Sequence, residues 1–139
     1  MYNPFSLENK TILITGASSG IGRQCAIDCS RMGAKVIAVA RNMERLTETI
    51  AMMEGTGHRC YSYDLSDVDG IGSLVATIVS DCGKLNGMIY AAGIEKTLPS
   101  KLLKPSDYDE ILKINTISAI EMARQVAGIK HFSNCNRGG

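Results

Sequence analysis

A chain of 139 residues with 45 % apolar residues has the length of one domain, and can bury roughly 68–70 % of the surface its unfolded form exposes. Fifteen basic side chains against fourteen acidic ones leave a formal net charge of +1, with no dense basic block, so neither nucleic acid nor an anionic membrane surface is expected as a main partner. Met1 to Asn9 shows no charged segment leading into an apolar stretch, and no window approaches the roughly 20 apolar residues of a spanning helix, so the expectation is a soluble, cytoplasmic protein.

The first predicted element is a strand over Thr11-Ile12-Leu13-Ile14, followed at once by Thr15-Gly16-Ala17-Ser18-Ser19-Gly20-Ile21-Gly22 and then by a helical pattern. In that helix Ile21, Cys25 and Cys29 recur at helical spacing, and Met32-Gly33 ends it. The five cysteines are odd in number and form no Cys-x-x-Cys pair, so no disulfide framework or zinc ribbon is indicated. Cys25 and Cys29 read as small apolar residues on the packed face. Val36 to Ala40 is a buried strand. A helix with Met43, Leu46, Ile50 and Met53 on one face follows, ending at Gly55-Thr56-Gly57. Arg59 to Tyr63 is a third strand, Val68 to Cys82 a third helix broken at Gly83, and Gly87 to Tyr90 a short fourth strand. From Ser106 a long helix is predicted, with acidic Asp107, Asp109 and Glu110 near its start and Ile111, Leu112, Ile114, Ile117, Ile120, Met122, Ala123 and Val126 along it. These apolar residues cover more than one stripe, so one side packs on the sheet and the other meets either a further element or a partner.

Strands alternating with helices at this rhythm require crossover connections, and hence a parallel sheet with helices on both faces. The expected strand order is 3-2-1-4 in a single domain, 1–139. A ligand belongs beyond the carboxyl ends of the strands, at the switch between the first and the fourth.

The glycine loop suits a dinucleotide for physical reasons. Gly16 supplies the positive φ of a tight strand-to-helix turn, and Gly20 and Gly22 remove side chains where a pyrophosphate or a neighbouring backbone comes close. The helix behind them points free N–H groups and its positive dipole end at the phosphates, and Ser18 and Ser19 add hydroxyls. About 20 residues on, the place of an acidic residue that would bind a ribose 2′-hydroxyl is taken by Ala40 and Arg41. A planar cation there suits a 2′-phosphate and predicts NADP(H) over NAD(H).

Thr15-Gly16-x-x-x-Gly20-Ile21-Gly22 resembles the cofactor loop of the short-chain dehydrogenase/reductase family, and the flanking sequence is similar to its 3-oxoacyl-acyl-carrier-protein reductase branch, from about Leu7 to the last residue. The resemblance implies a Rossmann-like, doubly wound α/β fold and hydride transfer between NADP(H) and a small-molecule carbonyl/alcohol substrate. It implies that Ile21 belongs to the cofactor loop and that Asp64-Leu65 seats the adenine; Asp64 reads equally well as a turn or cap residue. Tyr90-Ala91-Ala92-Gly93 corresponds to the family's Asn-Asn-Ala-Gly: Ala92 and Gly93 keep its shape, while Tyr90 and Ala91 replace both asparagines. Asn115, an amide inside an apolar helix, matches the Asn of a catalytic tetrad with Ser, Tyr and Lys.

The other tetrad members are not found. The tyrosines are Tyr2, Tyr61, Tyr63, Tyr90 and Tyr108, and four positions on stand Ser6, Leu65, Asp67, Ile94 and Leu112, none of them Lys. The expectation is the N-terminal, cofactor-binding part of an oxidoreductase, cut before its fifth strand and inactive alone, with Cys135 to Gly139 as the turn before that strand. The resemblance also implies a homo-oligomer through the last helix. The alternative is a non-catalytic dinucleotide sensor or interaction module. No metal site is indicated, and His58 and His131 are assigned no role.

Overall fold

The first apolar run forms β1 (Thr11–Thr15), in which Ile12, Leu13, Ile14 and Thr15 are all buried, as a strand covered on both faces must be. The computed structural model describes residues 2–128 and 131–132. After β1 come α1 (Gly20–Arg31), β2 (Lys35–Ala40), α2 (Met43–Met52), β3 (Arg59–Ser62), α3 (Ile71–Cys82) and β4 (Gly87–Tyr90). A short 3-10 turn, Ser100–Leu102, precedes α4 (Pro105–Leu112), a π-helical turn (Lys113–Ile117) and α5 (Ser118–Val126).

The four strands are parallel in the order β3-β2-β1-β4, as expected from the rhythm of the sequence. Leu13 of β1 lies between Ile37 of β2 and Met88 of β4. Because side chains alternate along a strand, the central residues divide between two cores. Leu13, Ile37 and Val39 meet Leu74, Val75 and Ile78 of α3 and Met122 and Val126 of α5. Ile12, Ile14, Val36 and Ala38 meet Ala26 of α1 and Leu46 of α2, with Cys25 and Cys29 packed against them. Each fully buried Leu, Ile or Val contributes about 1.5–3 kcal/mol, so this double-faced burial is the main support of the sheet.

Several elements differ from the sequence-based expectation. Ile21 does not share the packed stripe of α1 with Cys25 and Cys29; it is 79 % exposed, at the start of the helix beyond the sheet edge. Met43 is likewise exposed at the start of α2. The third helix begins at Ile71 rather than Val68, because the Asp67 carboxylate accepts the Gly70 N–H and holds a turn first. The last helix starts at Pro105, with Asp107 closing on the Lys104 N–H, and is interrupted by the π turn. A parallel bridge pairs Leu85 with Phe132, so pairing beyond β4 begins before the predicted turn at Cys135 to Gly139, which lies outside the described residues.

A buried polar tie joins the two helices on one face. The Thr49 hydroxyl, fully buried, donates to the Ala17 carbonyl at 2.8 Å, within the glycine loop. It accepts from Arg23 Nε at 3.0 Å, while Arg23 Nη2 reaches the Arg45 carbonyl and the Glu48 carboxylate, both at 3.2 Å. Replacing Thr49 by Val keeps the shape but strands the Ala17 carbonyl and the guanidinium N–H. The expected loss is about 1–3 kcal/mol in a urea unfolding titration, and an unchanged midpoint would show that the tie carries no stability.

Candidate functional site

The carboxyl ends of β1, β2 and β4 open into a cleft of about 830 Å³. Gly16, Ser18, Ser19, Gly20 and Ile21 form one wall, Arg41, Asp64 and Leu65 one end, and Ala91, Ala92 and Gly93 the other. Thus eleven of the twelve residues expected around a dinucleotide line one space.

Gly22, the twelfth, lies behind that space. A Cβ on it would collide with the Gly16 carbonyl, so its absence lets the first turn of α1 rest directly on the loop backbone. Gly16, at φ +67°, has a second reason to lack a side chain: a Cβ there would stand 2.7 Å from the Ala91 carbonyl. Gly20 differs from both, since a Cβ on it would meet nothing within 4 Å. Ser19 caps α1 by backbone conformation only, its hydroxyl making no cap bond. The loop therefore presents the α1 N-terminus to the cleft without side-chain oxygens occupying its first N–H groups.

At the far end, Asn42 caps α2 by accepting the Arg45 N–H at 3.0 Å, and the Ser62 hydroxyl donates to the Arg41 carbonyl at 2.8 Å. Arg45 also lines the cleft. Sequence reading missed it, although it follows Arg41 by four residues across the start of α2. Asp64 takes the turn role weighed for it: its carboxylate accepts the Ser66 N–H at 2.9 Å while still facing the cleft. That hydrogen bond, with a smaller contribution from the Arg41 charge, holds its pKa below the ordinary carboxylate value.

On the β4 side, the Ala91 N–H donates to the Thr15 carbonyl and the Ala92 N–H to the Thr15 hydroxyl, at 3.3 and 3.4 Å. Asn115 does not line the cleft. Its side chain grips the backbone of Ile94, accepting from Ile94 N at 2.8 Å and donating to Ile94 O at 2.9 Å. Ile94 and Ile114, both unforeseen, complete the wall. Tyr90 reaches across from β4 and donates its hydroxyl to the Ile114 carbonyl at 2.6 Å. Burial raises the Tyr90 phenol pKa, so it stays a donor, and Tyr63, also at the cleft, is pushed up to about 12 chiefly by burial with help from Asp67. His58 and His131 are structural: His58 bonds the Val36 N–H and the Glu54 carbonyl, and His131 bonds the Gln125 carbonyl. Among the described residues no group of His, Cys, Asp and Glu could hold a metal, and no helix is long and apolar enough to cross a membrane.

Known proteins share the sequence pattern and the fold. The chain is 32 % identical over 136 residues to gluconate 5-dehydrogenase of Gluconobacter oxydans, covering 96 % of this chain and 52 % of that protein. It is 36 % identical over 123 residues to a 3beta-hydroxysteroid dehydrogenase of Mediterraneibacter gnavus, covering 85 % of this chain and 44 % of that one. A crystal structure of a short chain dehydrogenase from Shigella flexneri complexed with NADP superposes with a TM-score of 0.81 at 27 % identity, over 90 % of this chain and 55 % of that one. The chain thus spans about half the length of the relatives it matches. The family model for short chain dehydrogenases matches residues 10–138, nearly the whole sequence, and the chain belongs to that family.

Proposed function

We propose that this chain is the cofactor-binding part of an NADP(H)-dependent oxidoreductase that interconverts a small-molecule carbonyl and alcohol in the cytoplasm. The observation that carries the reading is the convergence of the glycine loop, the Arg41 end and Ala91 to Gly93 on one cleft at the switch between β1 and β4. The fit is physical: Gly20 leaves open space where a bulky pyrophosphate would lie, and the α1 N–H groups behind it are suited to anions. Gly16, Ser18, Ser19, Gly20 and Ile21 would hold the phosphates and nearby ribose, Asp64 and Leu65 the adenine, Ala91 to Gly93 the approach to the nicotinamide. Arg41, with Arg45 four residues on, would hold the 2′-phosphate. NADP(H), when bound, supplies or accepts the hydride.

Asn115 serves as a positioning residue, holding Ile94 at the wall. The chain contains no Tyr followed four residues later by Lys, and the raised pKa values of Tyr63 and Tyr90 are opposite to the lowered one a proton-donating tyrosine needs. The 139-residue chain alone is therefore inactive, and carbonyl reduction by it at the rate of a complete reductase would refute this. The alternative reading is a non-catalytic dinucleotide sensor or interaction module. A longer protein carrying the pair and reducing carbonyls separates the two. The relatives are named for a sugar acid and a steroid, so the reading names the substrate only as a small-molecule carbonyl or alcohol.

The outer face of the last helices leaves Tyr108, Leu112, Ile117 and Ile120 exposed, from 46 % to 64 %. We assign this face to self-association, because neighbouring exposed apolar residues mark contact surfaces. In sedimentation equilibrium the chain is expected to dimerise with concentration and Ile120→Asp to shift it toward monomer. A wild-type chain that stays monomeric at high concentration excludes the assignment.

For the cofactor, Arg41→Asp is the decisive variant. Removing the charged hydrogen bonds should weaken NADP binding by about 1.5–3 kcal/mol, on the order of tenfold or more, with NAD affinity retained. Calorimetry with both dinucleotides reads the ratio, and an unchanged ratio sinks the 2′-phosphate assignment.

A further inference from the structure

Tyr90 stands where the family's motif has Asn, and its phenol faces an irregular turn. In the π segment the Ser118 N–H reaches back five residues to the Lys113 carbonyl, where an α-helix would take it to Ile114. The single proton of the Ser118 hydroxyl is shared between the same Lys113 carbonyl, at 2.8 Å, and the Leu65 carbonyl. The Ile114 carbonyl is left to accept the Tyr90 hydroxyl at 2.6 Å. One residue later, Asn115 sends its amide the opposite way, to both backbone groups of Ile94, four residues beyond Tyr90. The segment 90–94 and the π turn are therefore tied crosswise, each giving a side chain to the other's backbone. Ile94 and Ile114, the two backbone partners, both line the cleft.

We infer that Tyr90 is a positioning residue: its hydroxyl holds the π turn open at the Ile114 carbonyl and so sets Asn115 in register with Ile94, making the β4-side wall of the cleft one coupled unit. A Phe at this position fills the same half-buried space and loses only the hydroxyl, with its bond to the Ile114 carbonyl and its contact with the Ser118 side chain. Without it the Ile114 carbonyl competes for the Ser118 N–H, the π turn tightens toward α, and Asn115 rotates with it.

The test is hydrogen exchange in the isotopically labelled chain, compared across wild type, Tyr90→Phe, Asn115→Ala and the double variant. The Tyr90 hydroxyl bonds the Ile114 carbonyl and the Ile94 N–H bonds Asn115, so faster exchange of the Ile94 N–H in Tyr90→Phe, by about tenfold as for one lost hydrogen bond, reports coupling rather than direct contact. In the double variant Ile94 should exchange no faster than in Asn115→Ala alone, the mark of two residues acting as a unit. Tyr61→Phe, which loses a phenol bond to Asp81 on the far side of β3, is the control for general loosening. An Ile94 rate unchanged in Tyr90→Phe, or raised no more than in Tyr61→Phe, overturns the inference. Should Tyr90→Phe fail to fold, Tyr90→Asn, the residue the family motif carries, is measured in its place against the same outcomes. NADP titration of the same set supplies the second readout and rests on the cofactor reading above: a several-fold loss for each single variant, not multiplied in the double, is expected, and multiplied losses count against the inference. A wild-type chain that binds no NADP overturns the cofactor reading, while the exchange rates still decide the role of Tyr90.

Discussion

The contact on which the structure depends is backbone against backbone, where the first turn of α1 lies on the loop leaving β1. Gly22 and Gly16 meet there with no side chain between them, and on the loop's other side a Cβ on Gly16 would stand 2.7 Å from the Ala91–Ala92 peptide. Three elements, β1, α1 and the end of β4, are thereby drawn to one point. Any Cβ at either glycine would have to move backbone rather than a flexible side chain, and packed interiors do not yield that distance without cost. The cleft is the space left over once this junction has closed. Its floor is peptide groups, which is why the N–H groups of α1 are accessible to whatever enters.

The two ends of the cleft are built differently. Toward α2 the supports are ionic and partly buried: Arg23 bridges to Thr49 and Glu48, and Thr49 returns to the Ala17 carbonyl. The glycine loop and the Arg45 end are therefore tied through the buried Thr49 hydroxyl together with the Arg23 guanidinium, both of which reach the Arg45 carbonyl. Toward β4 the supports are neutral side chains on backbone groups, Tyr90 on Ile114 and Asn115 on Ile94. The formal charges, Arg41, Arg45 and Asp64, gather at the α2 end, while the β4-side wall of Ala91 to Ile94 with Ile114 has none.

Much of this was legible in the residues because it follows from short-range constraints. Apolar runs of strand length separated by helical periods leave little freedom of topology, and Gly16, Gly20 and Gly22 sit between the first strand and helix, where a turn is forced. Arg41 was visible from its distance after the loop. What escaped depends on pairings distant in sequence. Ile21 fits the helical period of Cys25 and Cys29, yet the helix starts beyond the sheet edge and nothing covers it. The π turn escaped because the phenol that engages its diverted carbonyl arrives from β4, 24 residues away in the sequence. The Leu85–Phe132 bridge is likewise a long-range pairing that no run of strand-like residues announces.

The departure at position 90 shows how a motif can lose its residues and keep its geometry. An asparagine side chain is short and bonds what is next to it, whereas a tyrosine carries its single polar atom to the far end of a ring. Placed at the end of β4, that length spans the gap to the helix, and the hydroxyl bonds a carbonyl that a regular helix would have used internally. The same helix returns an amide to the loop beyond β4. Two exchanges of opposite direction resist both sliding and rotation of the helix on the sheet, which one bond could not do. The wall of the cleft is thus held by side chains that do not line it, and a family comparison confined to cleft-lining residues would pass over both of them.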